Sequence, residues 1–189
     1  MKKIFFGVIV SALLIACNNE KPAEEAASTS SDAKSASGDK KPATEVLDIS
    51  EADGVKAGFA AFTKKDVEGM TANYDDNIRY HFSGGDSLVG KQATKDYWTG
   101  RMNIIDSINY SEQIVLPIKI NKSQSPKYEV VGKWVLAWNF THVKYKNGKT
   151  LHFWVHTDFH YNDAGKVDIV VQYVDRHPIF EATKDLMKK

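Results

Sequence analysis

Six histidines, one cysteine and a series of aromatic residues at strand spacing carry whatever chemistry this chain can do. An imidazole titrates near neutral pH, so a histidine held in a dry pocket can move a proton. His81, which follows the second helical segment, and His142, on a long strand, are the two candidates for that role. His152, His156 and His160 recur at every fourth residue, with Asp158 among them. On a strand, residues four apart lie roughly 13 Å apart, so these three cannot ligate one ion. Only neighbours two apart, His156 with Asp158 or Asp158 with His160, could chelate, and such a pair still lacks the rest of a ligand set. Ser83-Gly84-Gly85-Asp86 is turn chemistry without the lysine of a phosphate loop, and no serine elbow, zinc motif or catalytic cysteine is present. The chain is therefore expected to need neither metal nor cofactor.

The single cysteine has another use. Met1 to Cys17 is two lysines followed by an apolar and small run too short to span a bilayer permanently, the pattern of a signal peptide. Its end, Leu14-Ile15-Ala16-Cys17, resembles a bacterial lipobox, which implies that the Cys17 thiol takes diacylglycerol before cleavage. Each buried methylene of such an anchor contributes about 0.8 kcal/mol. Asn18 is not the aspartate that commonly retains lipoproteins at the inner membrane, so that resemblance implies an outer-membrane lipoprotein facing the periplasm.

Residues 18 to 45 contain no aromatic and no Val, Leu, Ile or Met, so they cannot bury enough apolar surface to offset the entropy of ordering. They read as a tether. Val46 to Lys189 then has room for one ordinary domain and holds 19 of the 21 aromatics. With 19 basic and 18 acidic residues it has no basic field for a phosphate backbone, which argues against nucleic acid as a partner.

The elements that must position the candidates follow from periodicity. Ser50-Glu51-Ala52-Asp53 has the form of a capping box, and Val55, Phe59 and Phe62 continue at helical spacing to about Thr63. A second helix fits Val67 to Tyr74 behind Asp66 as N-cap, Ile78 to Phe82 alternates as a strand, and Gly90 leads into a third helix with Ala93, Tyr97 and Trp98. After that the period changes to two. Ile108, Tyr110, Ile114, Leu116, Ile118 and Ile120 share one parity, with Pro117 on the other suggesting an edge or a bulge. Tyr128 to Tyr145 puts Trp134, Leu136, Trp138, Phe140 and His142 on one face, and Asn147-Gly148 is a strong hairpin signal. Leu151 to Tyr161 alternates strictly, and a last strand runs from Val167 to Asp175. The rim segment Asp175-Arg176-His177-Pro178 is assigned no role.

This order of pieces resembles the nuclear transport factor 2-like superfold, in particular its SnoaL-like branch. The carriers are the helices ending in Asn73-Tyr74-Asp75-Asp76-Asn77, the Asp86-Ser87-Leu88-Val89-Gly90 step and the hairpin from Phe159 to Val167, within about Ser50 to Phe180. The resemblance implies an α+β, cone-shaped domain, three N-terminal helices packed on a strongly curved, mostly antiparallel sheet around a pocket. Matching to the ketosteroid isomerases of that superfold would turn Trp138, Phe140 and His142 into the cavity, with Val155 and Thr157 from the next strand and Val170, Gln172 and Val174 from the last. It also puts His81 near the isomerases' aspartate base. Their two oxyanion donors are replaced by Gly58 and Thr157, and losing even one such donor costs about a hundredfold or more in rate, which disfavours an isomerase.

The expectation is a lipid-anchored envelope domain that binds a small, largely apolar or amphipathic molecule in a conical cavity without turnover. The alternatives are a cofactor-free proton-transfer enzyme, cyclase-like or dehydratase-like, using His81 with His142 or Thr157, and an interaction domain that dimerises through the face bearing Trp154.

Overall fold

The computed structural model describes residues 41–123 and 131–187. Cys17 and most of the tether, and Tyr128 at the start of the expected fifth strand, lie outside the described residues. Chain order is β1 (Thr44–Val46), a 3-10 turn (Ile49–Ala52), α1 (Asp53–Thr63), α2 (Val67–Thr71), β2 (Tyr74–Phe82), β3 (Ser87–Val89), α3 (Lys91–Ile104), β4 (Ile105–Ile120), β5 (Gly132–Tyr145), β6 (Thr150–Tyr161), β7 (Val167–Tyr173) and α4 (Arg176–Thr183). The seven strands form one sheet in the order β1-β4-β5-β6-β7-β2-β3, antiparallel except where β2 runs beside β7. This is the expected α+β class, helices on a curved, open, mostly antiparallel sheet. No helix among the described residues is long and apolar enough to cross a membrane.

Local chemistry sets the element ends. The residue that caps the first helical stretch is Asp48, not Ser50: its carboxylate accepts from both the Ser50 N–H and the Ser50 hydroxyl, and the 3-10 turn precedes α1. Asp66 caps α2 by accepting from the Gly69 N–H, but α2 stops at Thr71, because Tyr74 already begins β2. Gly90, at φ 92°, makes the left-handed step from β3 into α3 that a side chain would oppose. The hairpin between β5 and β6 turns through Asn147-Gly148, where the Asn147 amide also donates to the Ala182 carbonyl and so ties the turn to α4. Thr44 and Glu45, read as tether, are strand residues paired with Ile120 and Lys119.

Register decides which side chains meet. Opposite Phe140 and Thr141 of β5, the β4 pairing skips Ser111, so a bulge separates Tyr110 from Glu112. Before it, Ile108 and Tyr110 face the helices. After it the parity flips, turning Val115 and Pro117 inward and Ile114, Leu116 and Ile118 outward, so the single parity expected along this strand is broken. The inner face of the sheet carries Ile78, Tyr80, Phe82, Val135, Ala137, Phe159, Tyr161 and Val170, all buried. Phe59 of α1 and Trp98 of α3 pack onto it through edge-on ring contacts, and Phe62 stacks on Tyr110 while meeting Trp98 edge-on.

Candidate functional site

Between the inner face and the helices lies a cavity of about 720 Å³. It exists because small residues oppose small residues. Gly54, Ala57 and Gly58 of α1 line one side, and Asn139, Thr141 and Val143 of β5 line the other. Around this gap stands an aromatic collar that includes Phe59, Phe62, Tyr80, Tyr110, Phe153 and Phe159. Helix α4 contributes Ile179, Phe180 and Thr183, with Phe180 largely exposed beside the opening.

Polar groups on the wall are few. The Asn139 amide oxygen accepts from Gln113 Nε2 at 3.0 Å. The Thr141 hydroxyl is buried and has no hydrogen-bond partner among the described residues. The Trp98 indole N–H is buried too and lacks a partner of good geometry, though the adjacent Tyr80 hydroxyl is near enough to feel it. Buried orphans of this kind are rare, and an unfilled hollow beside them supplies the reason. Among the described residues no carboxylate lines the cavity, and its ionisable nitrogen groups are Arg101, Arg176 and His177. Arg176 is already engaged, with Nη1 donating to both oxygens of Asp86 at 2.5 and 2.7 Å and the guanidinium over the Phe82 ring. That bond holds the Asp86 carboxyl below the usual range and fastens the start of α4 to the β2–β3 turn.

The sequence candidates divide across the sheet. Val155, Thr157 and Gln172 line the cavity. Trp138, Phe140 and His142 do not: strand alternation places Asn139 and Thr141 inward, so these three point to the outer face. There Trp138 stands edge-on to His156, Phe140 lies against Trp154, and His142 Nδ1 meets His152 Nδ1 at 2.6 Å while its Nε2 meets Ser111 Oγ at 2.8 Å. His81 is also corrected. Tyr80 and Phe82 take the inward positions of β2, and His81 shares the outer side with Val171. Neither candidate histidine can therefore reach a molecule in the cavity. His156 and Asp158 do pair, at 2.5 Å, and His160 meets Asp168 at 2.6 Å, but among the described residues no three His, Cys, Asp or Glu side chains group as metal ligands. Sequence reasoning missed α4, whose signals were Asp175 as N-cap and Pro178 in the first turn, and it missed Arg101 and the cavity tyrosines.

The SnoaL-like domain family matches residues 55–168. This chain belongs to that family. No curated protein matches it. Among solved structures, a putative polyketide cyclase from Xanthomonas campestris pv. campestris is 17% identical at a TM-score of 0.56, covering 69% of this chain and 94% of that one. A putative isomerase from Bacillus subtilis is 18% identical at a TM-score of 0.54, covering 72% and 94%. TerC, crystallised with polyporic acid, is 14% identical at a TM-score of 0.52, covering 71% and 98%. At such identities the likeness establishes the fold.

In this SnoaL-like domain the cavity phenols are held neutral. Burial pushes the Tyr74, Tyr80 and Tyr110 hydroxyls up, and neighbouring phenols add to it. Burial, then the Glu51 charge, raises Tyr161 to about 12. A folded-state value above the unfolded one favours folding while the phenol is neutral. The contribution is intact below about pH 10, where a free tyrosine ionises, and is lost as pH rises through about 12. On alkaline titration these four phenols should ionise only together with loss of the far-ultraviolet circular dichroism. Ordinary ionisation of all eight tyrosines with the fold intact would contradict a dry cavity wall.

Proposed function

We propose that this SnoaL-like domain binds a small, largely apolar molecule in the cavity, without chemical turnover, as part of a lipid-anchored envelope protein. The observation that carries the reading is an unfilled aromatic hollow of about 720 Å³ with an unpartnered hydroxyl, Thr141, in its wall. That volume lies within the range of about 300–1,000 Å³ usual for small-molecule sites, which are apolar with a few converging polar groups. Turnover has little support: among the described residues no carboxylate lines the cavity, His81 and His142 sit on the far side of the sheet, and the one histidine on the wall, His177, is exposed. The anchor rests on the lipobox-like Leu14-Ile15-Ala16-Cys17, and the outer membrane on Asn18.

A second reading concerns the outer face, where Ile114, Leu116, Trp154 and Tyr173 are exposed in one apolar stretch. Two of its carboxylates already have histidine partners within the face, Asp158 with His156 and Asp168 with His160, which lowers the cost of covering them. A second copy of the chain, face to face, fits this surface.

Each part has its own test. With the full chain carrying Cys17→Ser, the neutral dye Nile red should bind saturably. Val155→Trp, which fills the hollow, should weaken it tenfold or more while stability changes by no more than the roughly 1–3 kcal/mol of overpacking. Unchanged dye affinity in a folded Val155→Trp protein would overturn the cavity reading. Mass spectrometry of the mature protein from a bacterial host should find Cys17 diacylglycerated, and an unmodified Cys17 would end the anchor proposal. In sedimentation, the Cys17→Ser chain should run as a dimer and the added Trp154→Asp change should give a monomer; monomers in both cases would exclude the pairing.

A further inference from the structure

The wall that lacks carboxylates does not lack cations, and the two guanidiniums on it differ. Arg176 has its counter-charge in Asp86. Arg101, in the last turn of α3, makes no ion pair among the described residues, although it is half-buried and lines the cavity. Its neighbour there is the Tyr145 hydroxyl, also on the cavity wall and near enough for the guanidinium to act on it. Tyr145 itself is only 2% exposed. A favourable interaction with the carboxyl end of the helix dipole accounts for a cation in this turn, but not for its facing a hollow of otherwise apolar groups. Taking a guanidinium partly out of water costs free energy that a buried anion would return, since charge-assisted hydrogen bonds to a carboxylate are about twice as strong as neutral ones.

Distance along the wall gives the rest of the ligand. Tyr145 and Thr141 are four residues apart on the inner face of β5, so about 13 Å separates the cationic end of the cavity from the orphan hydroxyl. Val143 lies between them, with Ile105 and Ile108 also on the wall. A molecule spanning this path meets a charged pair of donors at one end, apolar surface along its length and one weak polar contact at the other.

The geometry points to an amphipathic carboxylate as the ligand, a medium-chain fatty acid or a carboxylic acid of similar length, with its carboxylate held by the Arg101 guanidinium and the Tyr145 hydroxyl and its apolar body running toward Thr141. This rests on the reading of the cavity as a small-molecule site and adds the charge, the anchoring residues and the direction of the ligand. It also separates roles for the two arginines: Arg101 binds, whereas Arg176 fastens α4.

Displacement of Nile red from the full chain carrying Cys17→Ser tests it, with three competitors of one chain length, dodecanoate, dodecanol and dodecylammonium. Dodecanoate should displace the dye at the lowest concentration. Arg101→Ala should weaken dodecanoate by about ten- to hundredfold, the size expected for a hydrogen bond to a charged group, and leave dodecanol unchanged. Arg101→Gln, which keeps the first three side-chain carbons and a polar end but removes the charge, guards against a folding defect and should behave alike; Tyr145→Phe should weaken dodecanoate less. Equal displacement by dodecanol and dodecanoate, preference for dodecylammonium, or undiminished dodecanoate binding in both Arg101 variants would overturn the anion proposal while leaving an apolar-ligand site standing. If neither the dye nor dodecanol binds the parent chain, the cavity reading itself fails and the anion proposal falls with it.

Discussion

The hollow depends on one constraint, the alternation of side chains along β5. Because consecutive residues must face opposite sides of the sheet, the strand sorts its bulk. Ala137, Asn139, Thr141 and Val143 go inward, while Trp138, Phe140 and His142 go outward. A sheet whose central strand turned its large residues in would fill the space below α1. Here the helix also presents small residues, Gly54, Ala57 and Gly58, and a Cβ added at Gly58 would already stand 3.5 Å from the Met70 carbonyl oxygen. The cavity is thus a consequence of two small surfaces held apart by the aromatic side chains around them, not of missing material.

That sorting also explains the chemistry. The outer face takes His81, His142, His152, His156 and His160, where they contact one another, aromatic rings and aspartates. The cavity wall carries phenols, the amides of Asn73, Asn139 and Gln172, the Thr141 hydroxyl and the nitrogen groups of Arg101, Arg176 and His177. Five of the six histidines are therefore separated by the sheet from the space in which a molecule can sit, and the sixth, His177, is an exposed residue of α4 on the cavity wall. The phenols, pushed upward by burial, serve as hydrogen-bond donors rather than bases.

The parts of this arrangement that were legible in the sequence are those where one face is plainly polar. Strand β6 alternates Phe153, Val155, Thr157 and Phe159 against His152, Trp154, His156 and Asp158, and its inward face could be read directly. On strand β5 the match to the isomerases turned the bulky face of Trp138, Phe140 and His142 inward, in keeping with the rule that large apolar residues usually seek the interior. A second apolar surface on the outside of the sheet defeats that rule. The bulge at Ser111 left no mark in a sequence of alternating isoleucines, so the parity of β4 read correctly only as far as Tyr110. Helix α4 had visible start signals in Asp175 and Pro178, but a short segment after a strand gives little periodicity to confirm it. Arg101 carries no sequence signal of its own, and only the positions of the other wall residues set it apart.

The central claim is that the space between α1 and β5 is a binding site for a small molecule. The most direct measurement is native mass spectrometry of the protein purified from its own host under conditions that preserve non-covalent complexes. The account predicts a bound mass in the small-molecule range that is lost in the Val155→Trp protein. A parent chain that carries no bound molecule, or one that the filled variant retains equally, would contradict it.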